Sequence, residues 1–178
     1  MKETIERVKT KFPVTGETFQ RDDLAFFTTD REHGIEAVTY LRDYEGYTHL
    51  VLLTAVDWLE DEQFQLTYLL NNPEKKNDIA VRVMLPRSSP VMQSGHHLWK
   101  TIATYQRELY EMFGIEFPGS PRMTEPFILD EGWNGPPPYR RDFDTLRYSE
   151  ETYFPRPGRS KKDPAEHMKE KLYPEDPS

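Results

Sequence analysis

The chain has 178 residues and a net charge of −8, is 36% hydrophobic and 30% charged, and contains no cysteine. A chain of this size supports one domain with a real core plus an extension. Its negative charge excludes non-specific affinity for nucleic acid, and the lack of thiols excludes disulfides and cysteine-held zinc or iron–sulfur centres. No stretch approaches the run of about 18 apolar residues that a membrane span needs, and the opening MKETIERVKTKF is too charged for a signal peptide, so a soluble chain is expected.

In chain order, Ile5, Val8 and Phe12 at helical spacing predict a short first helix that Pro13 ends. LAFFTT, Leu24 to Thr29, is aromatic and β-branched and predicts a strand. Thr29 followed by Glu32 fits a capping box, and Ile35, Val38 and Leu41 give a second helix closed by Gly46. THLVLLTAVDW has apolar residues on both phases, Leu50, Leu52, Val56 and Trp58 against Val51, Leu53 and Ala55, which predicts a central strand covered on both sides. EDEQFQLTYLLNN alternates, with Phe64, Leu66, Tyr68 and Leu70 inward, and NDIAVRVMLP repeats this through Ile79, Val81, Val83 and Leu85. The turn residues between them complete a three-stranded antiparallel meander. A last helix carries Leu98, Ile102, Tyr105, Leu109 and Met112 on one stripe and stops at Gly114. The expected fold is α+β: two layers, a mixed and largely antiparallel sheet of four or five strands with helices packed on it, plus an extended C-terminal tail.

The division follows from composition, with a body at 1–117 and a proline-rich tail at 118–178. Eleven of the fifteen prolines follow Gly114, and each fixes φ and removes a backbone donor. The tail nevertheless holds Phe127, Ile128, Leu129, Trp133, Tyr139, Phe143, Leu146, Tyr148, Tyr153 and Phe154, with Phe117 just before it. Large anchors in an extended chain suit wrapping a partner protein. The alternative is that they fold back on the chain's own sheet.

LTAVDWLEDEQFQLTYLL, IAVRVMLPRSSPVMQS, HLWKTIATYQRELYEMFGIEFPGSP and WNGPPPYRRDF together resemble the C-type polypeptide, the thirty-kilodalton hydrophilic subunit, of the respiratory NADH:quinone oxidoreductase (complex I) and of its membrane-bound hydrogenase relatives. The most specific part is similar to the family's E-R-E-x-Y-D-M-F-G-I-x-F-x-G-H-P signature, here Gln106, Arg107, Glu108, Tyr110, Glu111, Met112, Phe113, Gly114, Ile115, Phe117, Gly119 and Pro121. The closing W-x-G-x-P-L-R-K-D-Y motif stands as Trp133, Gly135, Pro138, Arg140, Arg141, Asp142 and Phe143 with one residue inserted. Glu111 replaces the family's aspartate, Ser120 its histidine, and MTEPFILD its Arg-Arg-x-Leu-Leu-Pro stretch. The departures leave the branch open between complex I and a hydrogenase-type or ferredoxin-linked relative.

The resemblance implies a non-catalytic structural subunit of a membrane-bound oxidoreductase, peripheral on the cytoplasmic face. It would dock on the D-like large subunit near the B-like and I-like iron–sulfur proteins. No cofactor or metal would sit in this chain; iron–sulfur clusters would belong to the partners. Arg107, Glu108, Tyr110, Glu111, Phe113, Gly114, Phe117, Gly119, Pro121, Trp133, Arg140, Arg141 and Asp142 are then the interface and structural residues. A stand-alone protein-binding module is the alternative from the residues alone.

Other chemistry is weaker. Glu108 and Glu111 share a helical face, but general acid–base work needs a pocket that spacing does not supply. Ion pairs from either to Arg140 or Arg141, tying tail to helix, are the expectation. His96 and His97 are adjacent, where a helical metal pair needs i and i+4. The basic cluster of Arg156, Arg159, Lys161 and Lys162 reads as a solvated segment.

Overall fold

The computed structural model describes residues 1–153. Helix α1 (Lys2–Lys9) leads into strand β1 (Val14–Arg21), then β2 (Leu24–Thr29), helix α2 (Gly34–Tyr44), β3 (His49–Trp58), β4 (Gln63–Asn72), β5 (Asn77–Pro86), α3 (Ile102–Phe113) and α4 (Thr145–Tyr153). The five strands form one sheet in the order β1-β2-β5-β4-β3. Only the β2–β5 pairing is parallel; the other three pairings are antiparallel. The fold class is therefore the expected one, with five strands and the β3-β4-β5 meander in place.

Two compact units are present, Met1–Phe143 and a second beginning at Asp144. The stretch 118–143 lies within the first. In the second, Asp144 Oδ1 accepts from the Arg147 N–H at 2.9 Å and caps the start of α4, and Arg147 pairs with Glu151 one turn on. The basic cluster at 156–162 and Phe154 lie outside the described residues.

The core forms on the helix-covered side of the sheet. Phe64, Leu66, Tyr68 and Leu70 of β4 and Ile79, Val81, Val83 and Leu85 of β5 are fully buried, so the strict alternation of both strands names the covered face. α2 comes so close that a Cβ at Gly34 would meet Val83 Cγ2 at 2.8 Å. α3 delivers Ile102, Leu109, Met112 and Phe113, and Phe113 stands edge-on to Phe64 with centroids 5.9 Å apart.

Three local expectations change. β3 is an edge strand, not a central one. A register irregularity between Leu50 and Leu52 shifts its phase, so Leu50, Leu53, Ala55 and Asp57 face the core while Val51, Val56 and Trp58 stay exposed. A bulge breaks the period of 2 on which the two-sided reading rested. β1 has no counterpart in the sequence reading, because VTGETFQR is exposed along nearly its whole length and pairs with β2 through its backbone, leaving no apolar period to detect. The Thr29/Glu32 box is also replaced. α2 starts at Gly34, Asp30 Oδ1 accepts the His33 N–H, and the Thr29 hydroxyl donates to the Pro13 carbonyl.

Candidate functional site

The helix-to-tail signature gathers at the C-terminal end of α3. Gly114 terminates that helix with φ of 75°, a left-handed conformation that favours glycine. A Cβ there would meet Arg140 Nη2 at 2.7 Å and Pro137 Cγ at 3.3 Å. The crowding has a purpose, because the returning chain caps the helix. The Tyr139 N–H donates to the Met112 carbonyl at 3.0 Å, and Arg140 Nε donates to the Phe113 carbonyl at 2.7 Å. Two orphan carbonyls of the last turn are satisfied, and a cation meets the negative end of the helix dipole. Tyr139 packs edge-on against Phe113 at 5.8 Å, and the Arg140 guanidinium lies 5.3 Å from the centre of the Phe64 ring.

One turn earlier, Arg107 and Glu111 share a face of α3 at i and i+4. Arg107 Nη2 donates to the carbonyls of Glu125 (3.3 Å) and Pro126 (2.9 Å), while the two carboxylate oxygens of Glu111 accept from the N–H groups of Phe127 (2.9 Å) and Ile128 (2.7 Å). Four consecutive residues of an irregular, bending chain thus find polar partners for their backbone groups on two helical side chains. Arg107 also sits 4.9 Å over the Phe127 ring. Because the segment is held by its backbone, its side chains remain outward: Phe127 is 42% and Ile128 53% exposed.

The last stretch, 137–143, is held both by main-chain N–H groups and by its own side chains. Asp57, nearly inaccessible at the end of β3, accepts the Arg141 N–H at 2.9 Å and pairs with Arg87. Arg87 Nε lies 2.8 Å from Asp57 Oδ1, but this N–H is not aligned on the oxygen; Arg87 Nη2 makes the aligned bond, at 3.1 Å, to Oδ2. Arg87 Nη2 also donates to Asp142 at 2.8 Å, and Arg141 pairs with Glu60. The hydrogen bond and charge of Arg87 hold the Asp142 carboxyl below its usual range, and Arg141 does the same for Glu60.

The expected ion pairs from Glu108 or Glu111 to Arg140 or Arg141 give way to this arrangement. Glu111 serves backbone amides, Arg140 a helix carbonyl, and Arg141 reaches Glu60 and Asp57. A backbone amide held at hydrogen-bond distance competes well with a distant guanidinium for a carboxylate. Sequence reasoning missed Asp57, Glu60 and Arg87. One signal existed: a carboxylate at Asp57 in phase with Leu53 and Ala55 requires a buried partner.

The remaining predicted positions are supporting. Phe117 is fully buried and Gly119 takes φ of 82° in the turn beyond it. Pro121 is exposed, Glu108 and Tyr110 are half-buried, and Trp133 Nε1 donates to the Gly135 carbonyl at 2.8 Å. His96 Nδ1 lies 3.0 Å from the Ser94 hydroxyl before α3 begins. Among the described residues no cluster of histidines and carboxylates could hold a metal. Between α3 and the returning chain lies a groove of about 470 Å³ lined by Glu111, Glu116, Glu125, Asp130 and Glu131 together with Trp133. Five carboxylates make it inhospitable to phosphate-bearing ligands. No helix among the described residues is long and apolar enough to cross a membrane.

Comparison with known proteins follows the same residues. The family described as respiratory-chain NADH dehydrogenase, 30 Kd subunit, matches residues 27–149. The C polypeptide of the NADH-quinone oxidoreductase of Novosphingobium aromaticivorans is 34% identical over 130 residues, which are 70% of this chain and 41% of that protein, so the chain spans less than half of that relative's length. The second C/D polypeptide of the NADH-quinone oxidoreductase of Aquifex aeolicus is 28% identical over 153 residues, 80% of this chain and 24% of that protein. Among solved structures, a chain of the membrane-bound sulfane sulfur reductase, described as an archaeal respiratory membrane complex, superposes with a TM-score of 0.77 at 25% identity, covering 92% of this chain and 96% of that one.

Proposed function

Because the chain belongs to the family of 30 kDa subunits of respiratory-chain NADH dehydrogenase, we propose that it is a peripheral structural subunit of a membrane-bound, complex-I-type oxidoreductase. It docks on a D-like large subunit at the cytoplasmic face and supports electron transfer without holding a cofactor. The B-like and I-like neighbours carry the iron–sulfur clusters, consistent with a chain that has no cysteine to offer.

The observation that carries this reading is the backbone clamp of Arg107 and Glu111. It orders 125–128 through main-chain bonds and leaves Phe127 and Ile128 presented outward as a ready-made apolar anchor. A segment fixed before it meets a partner avoids an ordering cost of roughly 1–2 kcal/mol per residue on docking. The C/D name of the Aquifex relative supports a D-like partner, because one protein there bears both letters.

A second branch is favoured by one observation. The sulfane sulfur reductase chain is matched over 96% of its length at a TM-score of 0.77, while NADH-quinone C polypeptides are matched over between 41% and 71% of theirs. We therefore read the parent complex as equally compatible with a compact archaeal-type enzyme whose donor is not NADH. The chain, tagged in its native host and solubilised in mild detergent, should bring down a large D-like protein and integral-membrane proteins. Recovery of the tagged chain by itself overturns the subunit reading. The donor that reduces the recovered complex decides the branch.

A further inference from the structure

The face of the sheet away from α2 and α3 is the more open one, with half-buried and exposed side chains around the buried Ala80 and Thr67. The pairing registers arrange it in rows: Phe26, Ala80, Leu69 and Leu52; then Thr28, Arg82, Thr67 and Thr54; then Met84, Gln65 and Val56. Phe26, Leu52, Leu69 and Met84 are half-buried, Val56 is 42% exposed and Trp58 at the strand end is also 42% exposed. This apolar surface spans four strands, about 14 Å across at the usual strand spacing.

Arg82 stands in the middle of it. Its guanidinium lies 4.1 Å above the Phe26 ring, and its buried Nε has no hydrogen-bond partner among the described residues. The other arginines that the fold ties down have acceptors: Arg7 has Glu45, Arg87 has Asp57 and Asp142, and Arg140 has the Phe113 carbonyl. No ion pair of Arg82 occurs among the described residues. Partial burial of this half-buried guanidinium lowers its pKa. A folded chain carries such a group at a cost unless something outside the chain supplies the missing anion. A guanidinium stacked on an aromatic ring keeps its N–H edge free, and that edge matches a carboxylate in two-point geometry.

We propose that this more open sheet face is the seat of a neighbouring protein of the complex, which lays an apolar segment over Phe26, Leu52, Leu69 and Met84 and sets a carboxylate on Arg82. The proposal rests on the subunit reading and adds a second docking surface, carried by other residues than Phe127 and Ile128. A second copy of the chain fits poorly. A two-fold contact centred on this face would bring two Arg82 guanidinium groups together with no anion between them.

The test uses the full chain, free and in the native complex. Hydroxyl-radical labelling should mark Phe26, Met84 and Trp58 in the free chain and fall severalfold at Phe26 and Met84 in the complex. Arg82→Met, which keeps length and removes charge, should leave the urea midpoint of the free chain unchanged or higher. The same change should cut recovery of the chain in the complex about tenfold, the scale of one interface hot spot, with Arg82→Lys intermediate. Equal labelling of Met84 in free and assembled chain overturns the proposal. So does a variant whose free-chain stability and assembly fall together, because Arg82 would then serve its own sheet, and so does protection that appears in a dimer of the isolated chain. A chain that enters no complex sinks the subunit reading and this proposal with it, whereas an assembled chain with a reactive Met84 sinks this one alone.

Discussion

Residues 125–128 and 137–143 both return to the end of α3, and they are held in different ways. The first is gripped by its main chain, through Arg107 and Glu111, and turns Phe127 and Ile128 outward. The second adds its own side chains to the main-chain bonds of Tyr139 and Arg141, with Arg141 reaching Glu60, Asp142 reaching Arg87 and Arg140 capping the helix. Backbone capture fixes position while leaving sequence adaptable, which suits a surface that must match a partner. Side-chain capture fixes identity, which suits a latch. The difference also fits a closing motif that keeps Arg140 and Asp142, with a cation at Arg141, while MTEPFILD departs from the family's pattern.

The comparison can be broken most forcefully at the latch. Asp57→Ala leaves the buried Arg87 guanidinium without its inner carboxylate and should cost about 3 kcal/mol in urea unfolding, with Asp57→Asn milder. A loss below about 0.5 kcal/mol, the level of an ordinary surface change, would remove the latch from the account. Gly114→Ala comes next. A left-handed φ and contact with Arg140 and Pro137 should together cost about 2 kcal/mol and weaken the Arg140 cap, visible as faster amide exchange at 139–140.

Glu111→Ala should cost about 1 kcal/mol, because the freed amides of Phe127 and Ile128 lie near the surface and water replaces the carboxylate. Its signature is local: proteolytic cleavage within 122–129 with 137–143 unaffected. Simultaneous release of both stretches would erase the distinction between them.

The smallest effect is the response to acid. Asp142 has a folded pKa below its unfolded value near about 3.9, through its hydrogen bond to Arg87. Its contribution is therefore complete above the unfolded value and is lost as pH falls through the folded one. Glu45, held down by Arg7, behaves in the same direction within the body. Amide exchange at 137–143, corrected for intrinsic rate, should accelerate on acidification in the parent chain, less so in Asp142→Asn, and lose most of that pH dependence when Glu60→Gln is combined with it. Glu45→Gln should leave the slope at 137–143 intact.

Legibility followed physics. β4 and β5 could be read because one face of each is wholly buried, and a period of 2 then writes burial into the order of residues. Gly114 could be read because a helix often ends on a left-handed residue, a conformation glycine adopts without strain. β1 was silent because backbone pairing at an exposed edge demands no apolar pattern. β3 misled because a bulge changes phase without changing composition. At the site, the members on α3 and in the closing motif were legible as a signature, yet their partners were not, since Arg141 and Asp57 lie 84 residues apart along the chain.

The amino-acid order by itself determined the two-layer class, the buried face of the meander, the stop at Gly114 and the family, because each depends on periods, local dihedral preference or a contiguous motif. Only the tertiary structure decided that Glu111 holds amides, that Arg141 meets Asp57 and Glu60, and that Arg82 has no anion among the described residues. Those outcomes are set by which groups three-dimensional packing brings within hydrogen-bond reach, a distance that sequence separation does not encode.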